Sequence, residues 1–169
     1  MLLKTGNSYC RFFYFYPFMN DVALKKLRHY CAYQERCHEE VRTKLLSLKV
    51  YGEELEEIIN KLITDDFLNE ERFAKAYAGG KFRMKKWGRG KIIQGLKAHK
   101  ISDYCINKGL KEIEFPDYEK MLQALVISCM KKYDAINKFE TKSKTATYLI
   151  GRGYEPELVW ERINKFINK

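Results

Sequence analysis

Proline and glycine are scarce in this chain, with three of the first and ten of the second among 169 residues. An all-β fold, which needs many tight turns, is poorly served by that supply. Cysteine forms no framework either. Cys10, Cys31, Cys37, Cys105 and Cys129 are an odd number with no CxxC pair, a pattern of free thiols in a reducing compartment rather than of a disulfide scaffold. His29, Cys31, Cys37 and His38 bring metal-ligating residue types close together. On a helix, residues two apart point to nearly opposite sides, so His29 and Cys31 are a poor pair for one ion and no metal or other cofactor is expected. Long apolar runs are missing too. The stretch from Phe12 to Phe18 is too short to span a bilayer and lacks a small-residue cleavage site. The expectation is a soluble, cytoplasmic protein with no membrane partner. Residues 1–18 are then either a dispensable extension ahead of Met19 or an aromatic arm.

The most telling absence is acid. From Lys81 to Lys100 the chain reads KFRMKKWGRGKIIQGLKAHK, with eight Lys/Arg residues and no Asp or Glu. The whole chain has 32 basic against 22 acidic residues, a net charge of +10. Residues 1–18 carry +2 of it, 19–63 none, 64–115 +5 and 116–169 +3. Phe82, Met84, Trp87, Ile92, Ile93 and Leu96 are threaded through the basic run, so it is structured sequence and not a low-complexity tail. Basic charge segregated on a folded segment points to phosphates or an acidic partner. Solubility alone needs no such segregation, since neighbouring segments mix their charges. The candidate binding residues are Lys81, Arg83, Lys85, Lys86, Arg89, Lys91, Lys97 and Lys100. Arg89 leads them, because a planar guanidinium between two glycines reaches a carboxylate or phosphate with two bonds. Trp87 is either a wedge between helices or an exposed stacking anchor.

Apolar residues recur at helical spacing from Met19 onward. Val41, Leu45 and Leu48 make one stripe, and Leu55, Ile58, Ile59 and Leu62 another. Phe73, Tyr77 and Met84 share a face, as do Leu122, Leu125 and Cys129, and Val159, Ile163 and Phe166. No window alternates long enough for a strand. Asn69 before Glu70-Glu71, and Ser102 before Asp103, read as helix starts with acid in the first turn. Pro116 and Pro156 fit first helical positions. Gly79-Gly80 inside a helical run permits a kink or close packing.

The pattern repeats. With Leu46, Leu96 and Leu149 taken as equivalent, Tyr51, Ile101 and Tyr154 each follow five residues later and lead into a helix. The fold expected is all-α, with three tandem three-helix, helix-turn-helix-like repeats at 19–63, 64–115 and 116–169 forming an elongated, curved molecule.

Phe67-Leu68-Asn69-Glu70-Glu71-Arg72-Phe73-Ala74, then Trp87-Gly88-Arg89-Gly90-Lys91-Ile92, then Leu96 to Ser102 closely resemble the RecX family, whose middle unit follows a "(F/Y)LDDERFA … GxGPxRIxxELxxKGIs" pattern. Ala23-Leu24 and Val41 to Leu45 extend the likeness into the first repeat, and the last repeat matches in length with looser motifs. The chain departs from the pattern at Gly90-Lys91, where the family has Gly-Pro, and at Gln94-Gly95, where it has Gln-Glu. The resemblance implies a monomeric bacterial modulator that lodges on the filament of RecA on single-stranded DNA and dampens strand exchange, ATP hydrolysis and coprotease activity, hence DNA repair, recombination and the SOS response. Direct contact with single-stranded DNA is compatible with it.

Two other functions compete. A plain nucleic-acid binder would coat DNA through phosphates. Base reading is not expected of it, since Ile92, Ile93, Gln94 and Leu96 are poor readers and the last repeat offers only Thr145, Thr147 and Tyr148. An enzyme is disfavoured. Gly88-Arg89-Gly90-Lys91 lacks the spacing of a phosphate-cradling loop, and the pairs Asp65-Asp66 and Glu70-Glu71 are explained as helix-end residues. Reversing Arg89 and Lys91 to Glu is expected to leave helicity intact and abolish inhibition of the recombinase.

Overall fold

The computed structural model describes residues 16–133 and 138–167, with side chains from Asp21 onward. All of the regular structure among the described residues is helical. The helices are α1 (Tyr16–Tyr33), α2 (His38–Ser47), α3 (Gly52–Thr64), α4 (Glu70–Lys85), α5 (Arg89–Ala98), α6 (Asp103–Leu110), α7 (Phe115–Lys132), α8 (Lys138–Gly151) and α9 (Pro156–Ile167). None is long and apolar enough to cross a membrane. They pack in threes: α1 to α3, α4 to α6, and α7 to α9. The extension assigned to residues 1–18 lies mostly outside the described residues, and α1 takes in its last three positions.

The starts follow the sequence signals. α4 begins directly after Asn69, and Pro116 and Pro156 sit in the first turns of α7 and α9. The Ser102 hydroxyl accepts from the Cys105 amide at 3.4 Å, satisfying one of the free amides of α6. Cys37 stands at the cap position of α2, and Glu40 reaches back to accept from its amide at 3.2 Å.

The second helix of each bundle ends in the same way. Lys49, Lys100 and Gly153 take positive φ of 64°, 57° and 89°. The amide of the next residue then bonds back five positions: Val50 to Leu45, Ile101 to Leu96 and Tyr154 to Leu149, at 3.1 to 3.2 Å. This left-handed closing turn satisfies carbonyls that the helix end would leave bare, and it sets an apolar residue against the last buried leucine. It also corrects the repeat register. Leu45 and Val50 are buried where Leu46 (44% exposed) and Tyr51 (55%) were expected. The repeat is real, but the first copy is offset by one residue.

The chain divides into two compact units at Asn69–Glu70. The first unit holds α1 to α3 around Leu27, Val41, Leu45, Val50, Leu62 and Leu68, all at most 2% exposed. Arg28 pairs with Asp65 at 2.6 Å, and Arg42 with Glu56, across its surface. The second unit holds α4 to α9. There α4 and α6 cross closely, because Gly109 has no side chain: a Cβ would lie 2.7 Å from the carbonyl oxygen of Ala74. α4 runs unbroken through Gly79-Gly80. A Cβ at Gly79 would meet only the tip of the exposed Arg83 side chain, and one at Gly80 would meet nothing within 4 Å, so neither the kink nor the close packing expected of these glycines is found.

One stripe needs correction. Phe73 is buried and Met84 is 80% exposed, although the two share a helical face. The last turn of α4 buries its other side instead, where Phe82 stacks on Tyr118 of α7 with centroids 5.9 Å apart. α4 is therefore covered by its own bundle at one end and by α7 to α9 at the other.

Candidate functional site

The basic segment covers the end of α4, the turn at Lys86–Gly88 and α5. Helix packing sorts its charges into two groups.

Arg89 and Lys91 face inward, toward the last bundle. The Arg89 guanidinium lies 4.4 Å from the ring centroid of Tyr118 and 4.0 Å from the Glu155 carboxylate, and the Arg89 amide donates to Tyr118 Oη at 3.3 Å. Tyr118 is fully buried and its hydroxyl donates to Glu155. Burial first, and then that hydrogen bond, hold its phenol far above the ordinary tyrosine value. Tyr118 also packs on Tyr154, 5.1 Å away, whose phenol is pushed up to about 12, chiefly by burial. The Lys91 ammonium lies 5.1 Å from the Trp87 ring and 3.5 Å from the carbonyl oxygen of Gly151. Trp87 is half-buried, with the Lys81 ammonium 5.3 Å from it as well. Each such cation–ring contact contributes about 0.5–1 kcal/mol at a partly exposed site. Trp87 is thus neither a fully buried wedge nor a free platform.

Arg83, Lys85, Lys86, Lys97 and Lys100 keep exposed side chains, and Lys81 is half-buried beside Tyr77 and Trp87. Lys97 pairs with Asp103 at 3.5 Å on open surface, an arrangement of little energetic weight. Lys86 and Lys100 occupy left-handed turn positions with φ of 53° and 57°. Gly95 fills a steric role: a Cβ there would fall 2.3 Å from the Tyr77 hydroxyl, and the ring of Tyr77 packs edge-on to His99.

The turn that carries Arg89 is docked, backbone to backbone, on the α8–α9 turn. Gly88 N donates to Arg152 O at 2.8 Å, and Gly90 N to Gly153 O at 2.9 Å. Arg152 then closes the end of α4. Its Nη2 donates to the carbonyl of Lys85, its Nε to that of Lys86 at 3.3 Å, and Tyr154 Oη donates to the same Lys86 carbonyl at 3.3 Å. A guanidinium is well placed there, at the negative end of the helix dipole. Sequence reasoning missed Arg152, Tyr118, Glu155 and Gly153. The only trace of the joint in the chain is a second Gly-Arg-Gly, residues 151–153, matching 88–90.

The acid pairs have structural partners. Asp65 holds Arg28, Glu71 holds Lys75 at 2.7 Å, and Glu70 accepts from the Ser102 amide at 2.6 Å. Among the readers weighed in the last repeat, Thr145 is fully buried and Tyr148 is 40% exposed.

These helices define an all-α protein of repeated three-helix bundles with a basic segment in its middle repeat. Residues 69–110 match the family model for the second three-helix domain of RecX. The regulatory protein RecX of Clostridium acetobutylicum is 30% identical over 139 residues, covering 79% of this chain and 62% of the relative. That of Thermotoga petrophila is 29% identical over 149 residues, covering 86% and 82%. The crystal structure of RecX from Lactobacillus salivarius superimposes with a TM-score of 0.80 at 22% identity, covering 89% of this chain and 98% of that one. The chain belongs to the RecX family, a family of bacterial regulatory proteins. It spans less than two thirds of the length of the Clostridium relative.

Proposed function

We propose that this protein binds the filament that RecA forms on single-stranded DNA and inhibits its recombinase, ATPase and coprotease activities. The observation that carries the proposal is the exposed basic group Arg83, Lys85, Lys86, Lys97 and Lys100 on a RecX-family fold. A nucleoprotein filament presents phosphates and acidic protein surface along a continuous groove. A basic face is drawn to it over distances that salt shortens. Arg89 and Lys91 serve this face indirectly, by fixing the turn on which it is built. The proposal assigns no chemistry to the protein itself.

The test is the DNA-dependent ATPase of the cognate RecA, titrated with this protein. Inhibition at ratios well below one per RecA supports a filament-directed regulator, and Arg83→Glu with Lys86→Glu should remove it without altering the melting curve. Inhibition only at DNA-coating amounts would favour a nonspecific binder. An unchanged rate at every ratio would sink the proposal.

A further inference from the structure

We infer that Lys85, Lys86, Arg152 and Tyr148 form a contact for single-stranded nucleic acid, assembled across the joint between the middle and last bundles. It deepens the filament reading and rests on it only for the setting in which the strand is met.

These four residues come from two segments more than sixty positions apart, and one side chain brings them together. The Arg152 guanidinium binds the backbone carbonyls of Lys85 and Lys86 and donates through Nη1 to Tyr148 Oη at 2.8 Å. The same guanidinium lies 5.4 Å from the Tyr148 ring centroid. Arg152 therefore orients the aromatic ring and fixes the turn that bears the two lysines. Both lysines are exposed, and Tyr148 is 40% exposed. Among the described residues no carboxylate pairs with Lys85, Lys86 or Arg152.

Charge alone would suit an acidic peptide as well as a phosphodiester. The exposed ring decides between them. A flat ring held beside cations takes a base on its face while the adjoining phosphates meet the ammonium groups, and any base will do. A duplex keeps its base faces stacked inside, so the arrangement selects single strands. Stacking on a ring accepts every base, so sequence tolerance follows.

The test is fluorescence anisotropy of the whole protein with labelled oligothymidylate, and with an abasic phosphodiester of equal length. Tyr148→Ala should weaken oligothymidylate binding about tenfold and leave the abasic strand unaffected, because only the stacking contribution is lost. Tyr148→Phe, which keeps the ring, should bind as the parent does. Lys85→Glu with Lys86→Glu should weaken both strands and flatten the salt dependence. Equal binding of both strands by Tyr148→Ala and the parent protein would overturn the inference. So would a loss of filament inhibition with oligothymidylate binding unchanged, which assigns the face to a protein partner. The recombinase ATPase, run on the same preparations, separates the two readings. Strand binding through Tyr148 without inhibition removes the filament reading and leaves this contact. Inhibition without strand binding does the reverse.

Discussion

Gly88 and Gly153 touch through their backbones, and neither position has room for a side chain. A Cβ on Gly88 would stand 2.2 Å from the carbonyl carbon of Gly153, and one on Gly153 would stand 2.2 Å from the Lys91 amide nitrogen. Gly153 also holds φ at 89°, where side-chain-bearing residues are strained. Backbone atoms cannot swing aside as a lysine tip would. Gly88→Ala is therefore expected to force the joint open and to destabilise the second unit by about 2–3 kcal/mol or more. Urea denaturation measures it, and a shift of under half that size would mean that the turns part easily.

Arg89 should report on stability before it reports on binding. Arg89→Glu removes the cation from the Tyr118 ring and sets a second carboxylate beside Glu155, whose only described ion-pair partner is Arg89. A loss of about 1–3 kcal/mol is expected, seen as a lowered melting temperature. Arg83→Glu, on open surface, should stay within about 0.5 kcal/mol of the parent. Equal melting of the two variants would contradict the inward placement of Arg89.

Alkali should loosen the second unit. An unfolded tyrosine loses its proton near pH 10, whereas burial and the Glu155 bond keep Tyr118 protonated well beyond that, and burial keeps Tyr154 protonated to about 12. Both folded values are raised, so this contribution to stability is whole below pH 10. It falls as pH rises past 10, where the unfolded chain binds fewer protons. Tyr118→Phe and Tyr154→Phe should each flatten the decline of stability between pH 9 and 11 (about the range set by the free phenol). Identical slopes in parent and variants would refute it.

Lys49 is a non-glycine residue in a left-handed turn, exposed and with φ of 64°. Lys49→Gly should raise the stability of the first unit by about 1 kcal/mol, the strain relieved outweighing the added freedom of the unfolded chain. Thermal melting checks the sign.

The helices were legible because apolar stripes, Pro116, Pro156 and Ser102 all act within one helix, where sequence spacing and spatial spacing agree. The repeat register slipped where the sequence offers two leucines, 45 and 46, and two apolar residues, Val50 and Tyr51, in a row. The left-handed residue that would have settled it is Lys49, where glycine is the usual signal. The stripe from Phe73 to Met84 misled for a different reason, since the end of α4 buries Phe82 in place of Met84. The Phe82 side of α4 is buried by Tyr118, which lies far along the chain and leaves no periodic trace. The same distance hid the fate of Arg89. A run of basic residues reads as one face, yet Tyr118 and Glu155 turn part of it inward, and only Arg83, Lys85, Lys86, Lys97 and Lys100 remain fully outside.

Arg152 also imposes an order of events. The end of α4 is closed by a guanidinium from the α8–α9 turn, residues made after the whole of α5, α6, α7 and α8. A growing chain exposes the middle bundle first, with its basic turn complete in sequence but not yet tied down. The turn sets only when residues 152–154 arrive. A chain cut before them would keep every lysine of the segment and lose the shape that presents Lys85 and Lys86 together.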